Sequence, residues 1–219
     1  MTTRIDVSLV GARPVVRLAN GMLAARRLPD ERGAIRVALV ATRALLLAGD
    51  AVRIDVRVGA GVRLEIVEIA GTVAYNMRGG SASWTVEINC AGDLVWDAEP
   101  FVVADGAVVD RSTTVRLDTD ANVRLREQIV LGRSGESGGR VHLAMSAFHD
   151  GAPLLVESLT LDAVARLDPA VLAGARCLDS VTSLGSRLAD PDALQLEGPG
   201  SIRRRLVTAA HESDLTASA

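Results

Sequence analysis

Ser137 lies in "GESGG", residues 135–139, a serine between glycines with an acid beside it, and His211 lies in "TAAHE", residues 208–212. A nucleophilic serine needs a base within hydrogen-bond reach and a sharp turn that presents its hydroxyl. In the G-x-S-x-G elbow that turn runs from a strand into a helix. Here "RVHLAMSAF" follows, with Val141, Leu143, Met145 and Ala147 alternating as in a strand, so the context of an elbow is missing.

The same two strings are close to the serine and histidine motifs of chymotrypsin-like proteases. Those motifs run histidine first, whereas His211 follows Ser137, so the pair predicts no hydrolase and the chain is expected not to be an enzyme. Metal chemistry has few soft ligands. His142, His149 and His211 share no H-x-x-H or H-E-x-x-H spacing, and Cys90 and Cys177 stand far apart. A closed zinc or nickel site needs several such ligands together. The two cysteines are expected to be reduced, buried thiols. Carboxylates are plentiful, and most belong to solvated faces. Asp50, Glu99 and Glu127 stand out because they fall beside turns or where strand alternation points inward. Arg133 and Glu136 are spaced to pair across "GRSGESGG", which reads as a flexible hairpin loop.

The elements that must position these groups are strands. In "AVRIDVRV", Val52, Ile54, Val56 and Val58 alternate with charged residues, and "VRLEIVEI" follows after "GAG", a pairing that reads as a hairpin. "SWTVEINC" puts Trp84, Val86, Ile88 and Cys90 on one face, and "STTVRLDTDANVRLREQIV" reads as another hairpin-like unit. Between residues 50 and 162 no helix is predicted. Ala60, Ala91, Ala121 and Ala152 recur at spacings of 30 or 31, and Gly61, Gly92 and Asn122 follow the first three as residues that tolerate positive φ. That rhythm predicts stacked strand layers, a mainly β, β-helix-like fold. One or two short helices are expected near the C-terminus, one with Asp168 as N-cap and Pro169 at its first position, another beginning near Ser201. Residues 1–206 are expected to form a single mainly β domain and residues 207–219 a partly disordered tail.

Composition narrows the function classes. Of the 219 residues 48% are hydrophobic and only 2% aromatic, so the core must be built from Val, Leu, Ile and Ala. All 24 basic residues are Arg, and the net charge is −3, which predicts neither nucleic acid nor an acidic membrane as partner. The start lacks the pattern of a secretion signal, and the apolar stretch "IRVALVATRALLLAG" is interrupted by Arg36 and Arg43. A cytoplasmic location is expected.

Two blocks resemble the urease accessory protein UreD family, also called UreH. In "LLLAGDAVRIDVRVGAGVRLEIVEIAGTVAY" the matching residues are Gly49, Asp50, Val58, Gly59, Ala60 and Tyr75. In "DLVWDAEPFVVADGAVVDRSTTVRLDTDANVRLREQIVLGRSGESGGRV" they are Glu99, Gly106, Ala107, Glu127, Leu131, Gly132, Arg133 and Glu136. The family's Lys-bearing strand is "IVEIAGTVAY" here, without the Lys, and the chain is identified as a short, divergent member. The resemblance implies a β-helical fold and a maturation scaffold that binds UreF- and UreG-type accessory proteins and the urease apoprotein. It implies no tightly bound cofactor, with nickel only in transit. Asp50, Glu99, Glu127 and Glu136 are the acids it aligns with a carboxylate-lined nickel path, and Gly49, Gly59, Tyr75, Gly106, Gly132 and Arg133 are its structural motif residues. The alternative reading is a mainly β binding module unrelated to urease.

Overall fold

The computed structural model describes residues 1–217. Its centre is a parallel coil whose successive turns visit three faces. The chain enters through the antiparallel hairpin β1 (Thr3–Val10) and β2 (Arg13–Ala19), then β3 (Leu23–Arg27) and β4 (Ile35–Ala41), which also pair antiparallel. One coil is β5 (Ala51–Val58), β6 (Arg63–Glu68) and β7 (Thr72–Ala74); the next is β8 (Ala82–Cys90), β9 (Asp93–Asp97) and β10 (Phe101–Val103). The third begins with β11 (Val108–Leu117) and β12 (Asn122–Leu131). β13 (Arg140–His149) and β14 (Ala152–Leu161) follow, then the short helix α1 (Ala163–Leu167), β15 (Cys177–Leu184), β16 (Leu194–Gln195) and β17 (Gly200–Val207). The first sheet has the order β14-β13-β11-β8-β5-β1-β2, and the second runs β16-β17-β15-β12-β9-β6-β4-β3. Between residues 50 and 162 the structure has no helix, as the alternation requires.

The stacking explains the thirty-residue rhythm. β5 pairs in parallel with β8 and β8 with β11, while β6 pairs with β9 and β9 with β12. Corner turns lie on one another: the Ala91 N–H donates to the Val58 carbonyl at 2.7 Å, and the Asn122 N–H to the Gly92 carbonyl at 3.0 Å. Of the residues following the turn alanines, Gly61 has positive φ (71°), but Gly92 and Asn122 do not. Gly92 is needed for space instead, since a Cβ there would sit 2.3 Å from the Val62 carbonyl oxygen.

Several local expectations are corrected. Residues 51–68 are not a hairpin, because β5 and β6 belong to different sheets, and the same holds for β11 and β12. Both strands of each pair alternate because both sheets face one core, where Ile54, Val56, Leu64, Ile66, Ile88, Leu94 and Val123 are almost fully buried. Each such side chain contributes about 1.5–3 kcal/mol. The fourth copy of the rhythm, at Ala152, does not continue the coil. It opens β14, which turns back antiparallel on β13. The helix falls earlier than the Pro169 pattern suggests: Asp162 is the N-cap of α1, its carboxylate accepting from the Val164 and Ala165 amides, and Asp168 is the C-cap. The region from Ser201 is strand β17, with Ile202, Arg204 and Leu206 on one side and a single 3-10 turn at Ala210–Glu212 beyond it.

After that turn the chain runs back over the outer face of the second sheet. Gln128 donates to the Ala210 carbonyl at 2.9 Å, the Thr216 hydroxyl donates to Asp97 at 2.5 Å, and Ala217 is buried. Beneath this segment Asp179 is fully buried and accepts from Arg126 at 2.8 Å and from Gln128 at 3.1 Å. The expected loose tail extends to residues 218–219, which lie outside the described residues.

Candidate functional site

The strand alternation that builds the core also places charges inside it. Leu64 and Ile66 of β6 face inward, and so does Glu68; on β11 Val109, Arg111, Thr113 and Val115 share the inner face; on β12 Glu127 lies between inward Leu125 and Ile129. Pair registers put these groups in one file along the coil axis. Leu39 pairs with Glu68, Glu127 with Ser180, and Ser180 with Arg204. Asp97 is the neighbour of both Val67 and Arg126, so Ala98 falls between Glu68 and Glu127. Small residues, Ala98 and Ser180, thus separate the larger polar ones.

Arg111 is the centre of this file. Only 8% exposed, its Nε and one terminal nitrogen donate to the same oxygen of Glu127, at 3.0 and 2.9 Å. Its guanidinium lies 5.0 Å from the ring centre of Phe101 and 5.3 Å from that of Trp84, and those two rings meet edge-on at 5.6 Å. Cation–π attraction and a charge-assisted pair therefore hold one side chain from two directions. Toward the C-terminal end of the stack Arg204 of β17 pairs with Glu157 of β14, joining the two sheets at their free seam.

Toward the N-terminal end a cavity of about 200 Å³ opens among Leu39, Arg43, Leu45, Glu68, Tyr75 and Trp84. Glu68 accepts from the Trp96 indole N–H at 3.1 Å and from the Glu99 amide at 3.2 Å. Burial nonetheless pushes its carboxyl up to about 7, against the pull of Arg111 and of those two donors. Sequence reasoning passed over Glu68 and Arg111. The signal was present, because each continues an inward alternation of apolar residues.

The four acids singled out in the sequence are not gathered in one place. Glu127 is in the core file, half-buried on Arg111. Asp50 lies at the end of the loop before β5, accepting from the Leu47 amide at 2.8 Å with Arg43 at 3.6 Å. Glu99 is exposed at a coil corner. Glu136 belongs to the loop from β12 to β13, which crosses between sheets and is not a hairpin. It accepts from the Arg133 Nε and backbone N–H, both at 2.9 Å, and from the Asp105 amide at 3.2 Å. The Arg133 guanidinium, and then the amides, hold its carboxyl down at about 2. Arg176 adds a bond of 2.9 Å to the Gly132 carbonyl, so this loop is tied at several points. Ser137 is exposed within it, and strand β13 rather than a helix follows.

The motif glycines answer local needs. Gly49, Gly106 and Gly132 have positive φ of 83°, 75° and 76°. Gly59 packs against Ser8, where an added Cβ would lie 3.2 Å from its Cα. Tyr75 stands at the cavity rim, 38% exposed. Burial raises the Cys90 thiol to about 11 and the Cys177 thiol to about 12, so both stay protonated. Among the described residues no three His, Cys, Asp or Glu side chains converge as a metal cage, and no helix is long and apolar enough to cross a membrane.

The family described as UreD urease accessory protein matches residues 14–218. The protein named urease accessory protein UreD 1 of Streptomyces griseus is 47% identical over 206 residues, covering 91% of this chain and 81% of that protein. The urease accessory protein UreD of Frankia alni is 38% identical, covering 94% of this chain and 85% of its own length. A match over nearly the whole chain excludes a binding module unrelated to urease, and the chain belongs to the UreD family of urease accessory proteins.

Proposed function

We propose that this chain is a scaffold in urease maturation that works in the cytoplasm, binds UreF- and UreG-type accessory proteins and the urease apoprotein, and passes nickel without retaining it. The observation that carries the reading is the internal file from Glu68 through Glu127 to Glu157, with a cavity at one end and the seam of the two sheets at the other. A carrier must release its cargo, and separated oxygen ligands suit that better than a cage of His and Cys. Asp50 and Glu99 border the cavity end, one through Arg43 and the other through its amide on Glu68, and serve there as collecting charges. Glu136, locked on Arg133, shapes the adjoining loop. Partner binding is supported by exposed apolar side chains on the last elements of the stack, Val156, Val164, Leu167 and Leu194.

The test is co-expression with urease subunits and the other accessory proteins, reading urease nickel content and activity. Glu127→Gln and Asp50→Ala should lower nickel loading while the complex still assembles. Full loading by both variants would refute the passage.

A further inference from the structure

Each of the two long sheets ends in strands with one unpaired backbone edge, and such edges are usually blunted by charge, proline or shortness. β2 carries Arg13, Pro14 and Arg17, β3 ends in Arg26 and Arg27, and β16 is two residues long. β14 is different. It is ten residues long, and among the described residues its backbone pairs only with β13. Pro153 and the bulge opposite Ala147 and Phe148 guard its first part alone, which leaves Leu155–Leu161 as a clean edge. The one charge in that stretch, Glu157, is held across the seam by Arg204 of β17. On the outer face stand Val156, 72% exposed, and the exposed Ser158. On the seam side Leu155 and Leu159 are only partly buried against the core. Opposite them the second sheet shows Leu194 and Leu206, both exposed, on the side from which Arg204 reaches Glu157.

We infer that the free edge of β14 is a docking site for an extended segment of a partner protein, which adds to the first sheet as one more strand. Backbone hydrogen bonds hold such a segment, and its alternate side chains set specificity. Every second residue of the segment faces the seam, where Leu155, Leu159, Leu194 and Leu206 call for apolar side chains. The residues between them lie beside Val156 and Ser158 on the outer face. The occupant is a segment of another protein rather than a second β14. Self-pairing about the middle of this strand sets Glu157 against its own copy, and like charges directly opposite are destabilising. The inference deepens the scaffold reading by locating one binding face. It rests on that reading for the partner being a urease component and does not depend on the nickel passage.

Hydrogen exchange followed by mass spectrometry tests it, on the full-length chain alone and in the complex co-expressed with urease subunits and the other accessory proteins. The outward amides of Leu155–Leu161 should exchange freely in the isolated chain and roughly tenfold or more slowly in the complex. Val156→Lys/Ser158→Lys puts two charges on the edge and should abolish that protection while lowering the yield of complex. Ala19→Lys, at an exposed position of the already guarded strand β2, should change neither. Unchanged exchange at β14 in an assembled complex, or full protection in the lysine variant, would overturn the edge as a docking site. Protection in the chain alone that grows with its concentration would assign the edge to a second copy and overturn the choice of occupant. If no complex assembles, the scaffold reading fails, and a synthetic peptide of alternating valine and threonine decides the edge by itself. That peptide should bind the parent and not the lysine variant; equal binding to both, or to neither, overturns the inference.

Discussion

Replacing Arg126 with methionine would leave Asp179 a buried carboxylate with a single donor. Asp179 is fully buried, and Arg126 supplies its contacts at 2.8 and 3.1 Å; among the described residues only Gln128, at 3.1 Å, would remain as a side-chain donor. Removing one partner of a buried pair costs about 3–5 kcal/mol, because the other charge stays desolvated and uncompensated. For a chain of this size that corresponds to a fall in Tm of roughly 6–20 °C. The reverse change is milder. Asp179→Asn leaves Arg126, 18% exposed, with Asp97 at 3.3 Å and with access to water. The double variant Arg126→Met/Asp179→Asn removes both charges and should recover about 2 kcal/mol or more relative to the sum of the single changes. Urea denaturation of the four proteins, followed by far-ultraviolet circular dichroism, measures each difference. If Arg126→Met costs less than about 1 kcal/mol, or if the two changes simply add, the buried pair does not hold this corner of the second sheet.

Two further outcomes follow from the coil and the cavity. Gly92→Ala should lower stability by about 1–3 kcal/mol in the same urea assay, because its Cβ would meet the Val62 and Gly59 carbonyl oxygens at 2.3 and 2.5 Å. Glu68, whose carboxyl is raised to about 7 from an ordinary 4.5, holds its proton in the folded chain at pH values where the unfolded chain has lost it. It therefore makes stability fall as pH rises from about 4.5 to about 7, with no further change above that. Glu68→Gln should flatten that slope, and a slope identical in parent and variant would show that another group produces it.

The alternation of Val52 to Val58 or Trp84 to Cys90 is enough to declare a strand and its inner face. It does not say which strand pairs with which. In a hairpin and in a coil two successive strands can present the same pattern, so β5 and β6 look alike under either topology; their alternation reads as a hairpin, while the spacing of the turn alanines points to the stack. The end of the stack was hardest to read. In β17 three consecutive arginines suggest a helical charged face, yet they lie on a strand, where Arg204, on the side shared with Ile202 and Leu206, pairs with Glu157 across the seam. Glu68 was hidden for a different reason: an acid ending an apolar run is usually taken as the strand's exit into water, and here the run continues inside. Glu127 was visible because the same logic was applied to it. Asp50, Glu99 and Glu136 were found as turn residues, and the turns are where the structure holds them.

A parallel coil has ends, and each end is a sheet cross-section whose backbone groups would accept another copy of the same layer. Here the parallel stack gives way at each side to a strand running the other way, and in the second sheet β17 and β16 continue beyond it. β2 lies against β1 and β14 against β13 in the first sheet; β3 lies against β4 and β15 against β12 in the second. A reversed strand takes the chain out of the parallel register, so the coil itself ends there, as a terminal cap ends a repeat array. The fourth turn alanine, Ala152, is where that decision is made: the rhythm persists but the chain doubles back. Loss of β14 would leave the long face of β13, ten residues of parallel-pairing backbone, open to the next molecule. The number of layers, and with it the length of the internal file, is therefore set by where the chain reverses.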